Sequence, residues 1–173
     1  FYFAFIGAFS SYFGLYLQSI GSSAAQIALL MSLMSVMRML APTLWGWLAD
    51  RLGVRTPIVR LSAFLSVIGF AGFLVTDAYI GLFLSMAFLS FFWSAALPLV
   101  ETLTFAHLSG QASRYGNIRV WGSVGFVIAV LALGYLLDGL PVRALLWITL
   151  ALLGGIFVCA MLIPEAGRPV APQ

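Results

Sequence analysis

The sequence predicts an all-α membrane protein of six transmembrane helices, and three observations predict it. Of the 173 residues, 63% are hydrophobic and 8% are charged, with a mean hydropathy of +1.12. Soluble domains carry about 25% charged residues, so an ordinary soluble fold is excluded. The apolar residues fall into six runs, each long enough to cross about 30 Å of hydrocarbon at about 1.5 Å per residue. The breaks between them carry loop and turn residues, and the runs are too long and too uniformly apolar for the alternating segments of a closed barrel.

The first run, 1–19, is aromatic through Phe9, Tyr12, Phe13 and Tyr16 and stops at Gly21-Ser22-Ser23. Tyr near a span end is usually an interface anchor; Tyr12, beside Ser10 and Ser11, is the preferred substrate-contact candidate. The run has no Met, basic region or cleavage site, so it reads as a chain entered within its first helix, not as a signal peptide. The second run, 26–48, holds Arg38 at mid-span with Ser35, Pro42 and Trp45 on one face, and it leads into the Asp50–Thr56 loop. The third, 57–76, has no charge in its interior and stops at Asp77. The fourth, 79–105, carries Glu101 and precedes the polar stretch Ser109–Arg114. The fifth, 115–137, carries Arg119 and ends at Asp138-Gly139-Leu140-Pro141. The sixth, 143–163, has little polarity beyond Thr149. Residues 1–163 therefore form one bundle, and the Pro- and Ala-rich 164–173 reads as the start of a linker.

Charge sets the orientation. The basic residues are eight Arg, with no Lys. Arg51, Arg55, Arg60, Arg114 and Arg168 share one side of the bundle and Arg143 alone lies on the other. The positive-inside rule puts the Arg-rich side and both ends of the segment in the cytoplasm. No basic stripe suits nucleic acid. Cys159 and His107 are each single, which leaves no intrachain disulfide and no metal-ligand cluster. No nucleophile–base set or phosphate loop points to an enzyme.

A charge at the bilayer centre costs roughly 2.5–3.5 kcal/mol on insertion scales, so Arg38, Glu101 and Arg119 are expected to face protein or a watery cavity. Polar residues gather in spans one, two, four and five, which are expected to line that cavity, with spans three and six at the periphery. The recurrence at every third span predicts two three-helix units, although 1–76 and 79–163 share no evident residue repeat.

Two motifs carry further. The loop Gly46-Trp47-Leu48-Ala49-Asp50-Arg51-Leu52-Gly53-Val54-Arg55 has a Gly for close helix approach, an Asp at a helix end, a Gly for a tight turn and two orienting Arg. It resembles the G-x-x-x-D-R-x-G-x-R signature of the major facilitator superfamily at every defining position. Pro98-Leu99-Val100-Glu101, followed by Tyr115-Gly116-Asn117-Ile118-Arg119-Val120-Trp121-Gly122-Ser123-Val124-Gly125-Phe126, resembles the lactose permease and phenylpropionate permease-like branch of that superfamily. Glu101 and Arg119 flank one loop and are expected about 6 Å in from it, at matched depth, where opposite charges pair. Arg119, Ser123 and Phe126 share a helical face.

The resemblance implies one half of a twelve-helix fold, with a second six-helix half as partner in a bacterial inner membrane. It implies alternating access about a midplane site, driven by a proton gradient and without a cofactor. It gives Glu101 and Arg119 to sugar hydroxyls and Phe126 to ring stacking. Gly46, Asp50, Arg51, Gly53 and Arg55 become a conformational latch. Arg38, in the context Arg38-Met39-Leu40-Ala41-Pro42, departs from the lactose permease pattern and suits an anionic substrate. The expected activity is proton-coupled symport of a sugar, nucleoside or aromatic acid such as phenylpropionate. The competing readings are a drug or metabolite effluxer, disfavoured because span five lacks Pro, and a non-transporting six-helix assembly module.

Overall fold

The structure, a computed structural model, describes residues 1–108 and 112–164, without the side chains of 106–108, 112–114 and 117–118. The expected linker from 165 onward, and the side chains of His107, Arg114, Asn117 and Arg168, lie outside the described residues. Six helices follow one another: α1 (Tyr2–Ser19), α2 (Ala24–Leu52), α3 (Thr56–Val75), α4 (Tyr79–Leu108), α5 (Ala112–Gly139) and α6 (Ala144–Leu162). No strand occurs among the described residues.

Local chemistry sets the boundaries. Ser23 and Gln26 form a reciprocal capping box at the start of α2, with bonds of 3.3 and 2.8 Å, which satisfies two otherwise orphaned N–H groups. Gly53 ends α2 in the left-handed region at φ +64°, a conformation that glycine adopts without steric cost. Pro57 sits in the first turn of α3, where no N–H is required.

α3 and α2 pack on α4, α1 and α3 pack on α6, and α1 packs on α5. Exchanging α1 with α4, α2 with α5 and α3 with α6 turns these principal pairs into one another. The pair α2/α4 becomes α5/α1, α3/α4 becomes α6/α1, and α3/α6 maps onto itself. The two three-helix units expected from polarity are thus present as packing symmetry. Phe5, Phe9 and Phe13 stack in sequence along α1, with centroids 5.5 and 4.4 Å apart, and wedge against Phe70, Phe73 and Trp93 in the main core. A second core near the Asp50–Arg55 end joins Trp45, Ile58, Ala63, Leu99 and Leu103. Backbones approach closely at Gly69, where a Cβ would lie 2.9 Å from the Leu89 amide nitrogen of α4.

Five of the helices, α2 to α6, are long and apolar enough to cross a membrane, and α1, with 18 residues and no charged side chain, packs with them as the sixth helix of the bundle. One expectation changes. Spans three and six are not confined to the periphery. α3 packs on both α4 and α6. Its Ser62 and Ser66 are buried, and they are satisfied by donating to the carbonyls of Val59 and Ser62 in their own helix. It is α5 that leaves an apolar face uncovered, through Trp121, Val127, Ile128, Leu131 and Tyr135.

Candidate functional site

Glu101 lies seven residues before the end of α4, and Arg119 lies seven after the start of α5. At about 1.5 Å per residue both sit about 10 Å in from their shared loop. This is deeper than the expected 6 Å, because both helices continue past the apolar runs. The depths match, and the side chains meet: Arg119 Nη1 donates to Glu101 Oε1 at 2.6 Å. The Tyr115 hydroxyl donates to the same oxygen at 2.9 Å. Under the guanidinium lies the Phe3 ring, 5.3 Å from Cζ to centroid, at cation–π distance. Phe3 fills the space over Gly122, where a side chain would collide with its ring.

The side chains of Arg119 and Glu101 are 47% and 33% exposed. A pair that open to its surroundings is a weak brace and stays accessible to a ligand. It forms one end of a cavity of about 260 Å³. Thr104 and Tyr115 extend the polar end. Val59, Ala63, Val100, Ile156 and Ala160 form an apolar wall from α3, α4 and α6, with Cys159 beside it. Tyr2 also lines the cavity and stacks on Trp93 at 4.5 Å and 6°.

The other candidates stand apart from this cluster. Arg38 is exposed on α2, and its guanidinium contacts Met34 Sδ at 3.8 Å; no carboxylate pairs with it among the described residues. Ser123 is exposed, and Phe126 packs on Gly7 of α1. Neither lines the Glu101 cavity, because α1 docks along α5 and takes up Phe126. Tyr12 donates its hydroxyl to the Val130 carbonyl of α5 at 2.8 Å, so it ties two helices together. In the loop, Arg55 pairs with Asp50 at 3.2 Å and Arg51 lies over Trp47 at 5.2 Å. Gly46 has open space where a Cβ would stand, so the close approach expected of it does not occur within these six helices.

Sequence reasoning missed Tyr2, Phe3 and Tyr115. For Tyr115 a signal existed, since it precedes Arg119 by four residues and so shares its face. Tyr2 and Phe3 carried none, because their place follows from how α1 packs. A second charged cluster lies at the opposite end, where Arg143 Nη2 donates to Asp77 Oδ2 at 2.6 Å and Tyr16 donates to Oδ1 at 3.3 Å.

Fold and site together define a multi-pass helical membrane protein with a charged, aromatic-lined cavity. The chain belongs to the MFS_1 like family of the major facilitator superfamily, whose profile matches residues 1–168. It is 37% identical over 144 residues to maltose permease of Geobacillus stearothermophilus, covering 80% of this chain and 36% of that protein. It is 28% identical over 142 residues to the uncharacterized transporter YwbF of Bacillus subtilis (strain 168), covering 81% and 33%. The solved structure of the nucleoside transporter NupG superposes with a TM-score of 0.84 at 21% identity, covering 94% of this chain and 41% of that one. At that identity the likeness concerns the fold. The chain spans about a third to two fifths of the length of these relatives.

Proposed function

We propose that this chain is the N-terminal six-helix half of a secondary active transporter, a proton-coupled symporter whose substrate is a small hydroxylated solute, with a sugar first. The single observation that carries the reading is the Glu101–Arg119 pair, half exposed at the polar end of an aromatic-lined cavity. A carboxylate accepts from hydroxyls and a guanidinium donates to them, and aromatic faces suit a sugar ring. A relative named as a maltose permease supports the sugar choice. In this reading the Arg-rich side is cytoplasmic, and the Asp50–Arg55 loop latches this half to a second six-helix half. The two halves rock about the site. Glu101 binds substrate, and the main proton-coupling groups belong to the other half.

The test is uptake by the full-length protein in proteoliposomes under an imposed proton gradient, comparing sugars, nucleosides and aromatic acids. Sugar uptake lost in Glu101→Gln and in Arg119→Gln is the expected result. Uptake untouched by both substitutions refutes the site. Glu101→Gln that binds sugar normally but loses all coupling refutes the role given to Glu101.

An acid substrate is the second reading, favoured by Arg38, which has no carboxylate partner among the described residues. It requires that Arg38→Gln lose acid uptake while keeping sugar uptake.

A further inference from the structure

Both hydrogen bonds at Glu101 arrive on one oxygen. Arg119 Nη1 and the Tyr115 hydroxyl each donate to Oε1, at 2.6 and 2.9 Å. Oε2 has no hydrogen-bond partner among the described residues, and Arg119 makes no second ion pair among them. An ionised carboxylate has about four lone-pair sites and a guanidinium five N–H donors, so both groups keep capacity for a ligand. Tyr115 is itself held: its ring packs on Phe105 with centroids 4.3 Å apart. A tyrosine with its ring fixed and its hydroxyl committed pins the rotation of the carboxylate it touches.

We propose that Tyr115 is a positioning residue that sets hydroxyl selectivity. By holding Oε1 it leaves Glu101 Oε2 and the free edge of Arg119 as an acceptor and a donor side by side, matched to two adjacent hydroxyls of a ring solute. One hydroxyl donates to Oε2; its neighbour accepts from the guanidinium. Without the Tyr115 hydroxyl the carboxylate turns freely, closes a two-point bond with Arg119, and the vacant acceptor disappears. This inference rests on the sugar reading above and adds to it a residue and a substrate pattern, the vicinal diol.

The experiment measures binding of methyl α-glucoside and its 2-deoxy, 3-deoxy and 4-deoxy forms to the full-length protein. In the wild type, two deoxy forms at adjacent positions bind about tenfold more weakly than the parent, as expected when a hydrogen bond to a charged group is lost. Tyr115→Phe keeps the ring on Phe105. In that variant the parent weakens about tenfold while those deoxy forms change little, so the ratio between them falls towards one. If Tyr115→Phe weakens parent and deoxy forms by one common factor, or weakens neither, the positioning role is wrong while the sugar site stands. If no glucoside binds the wild-type protein, the sugar reading itself is overturned and this inference goes with it.

Discussion

Arg143 and Asp77 join the two loops at the end of the bundle remote from Glu101, with Arg143 Nη2 donating to Asp77 Oδ2 at 2.6 Å. The bond runs from the start of α6 to the link between α3 and α4, and so fastens one three-helix unit to the other. Both side chains are more than half exposed. Exposed pairs contribute about 0.2–1 kcal/mol and are screened by salt. Asp77→Asn is therefore expected to lower the thermal midpoint only slightly at low salt and not at all at high salt. A large loss that persists in high salt contradicts this, and moves the weight of the cluster to the Tyr16 hydroxyl, which also reaches Asp77.

Tyr12→Phe removes the hydroxyl bond from α1 to the Val130 carbonyl of α5. Interhelical hydrogen bonds inside membranes average about 0.6 kcal/mol. The expected outcome is a loss of about 0.5–1 kcal/mol in an unfolding titration, with substrate affinity kept. A large fall in affinity with unchanged stability shows instead that Tyr12 touches the substrate.

The glycines divide by what surrounds them. Gly69→Ala pushes a methyl group against the α4 backbone at Leu89, where no flexible side chain can yield. A cost of about 1–3 kcal/mol follows from overpacking, visible as lower expression and a lower midpoint. Gly46→Ala meets nothing within 4 Å among the described residues and favours the helix by propensity, so it does not destabilise the bundle. If Gly46→Ala nonetheless stops transport, its partner lies outside these helices, as the latch proposal requires.

Cys159 lines the cavity that Glu101 and Arg119 share. Maleimide labelling of Cys159 in the full-length protein is expected to slow several-fold when saturating sugar is added. An unchanged rate separates the apolar wall from the substrate's position.

Much of this was legible in the sequence, for identifiable reasons. Helix number and order followed from apolar runs and from breaks such as Gly53, because length and hydropathy alone decide spans in a bilayer, while α2, α4 and α5 extend a few residues beyond their runs. Glu101 and Arg119 could be paired because they flank one loop, and equal steps along two neighbouring helices reach equal depth. What failed depended on rotation and docking. Phe126 shares a helical face with Arg119, yet α1 occupies that part of α5 at Gly7. Ser62 and Ser66 were too little polarity to move span three from the expected periphery, and only packing shows them turned inward. The repeat between the two three-helix units is absent from the residues and present in the contacts, since many apolar sequences satisfy one helix-packing geometry.

Arg60 gives the last of these features a mechanical meaning. From the first turns of α3 it donates to the Ala160 carbonyl at 3.3 Å and to the Ile163 carbonyl at 2.9 Å, gripping the end of α6 five residues after Arg55. The C-terminal end of α6 and the first turns of α3, next to the Asp50–Arg55 loop, are therefore clamped at one point. Any shift of the α6 end relative to α3 must break or carry these two bonds, so the end of α6 and the helix that follows the Asp50–Arg55 loop are coupled in position.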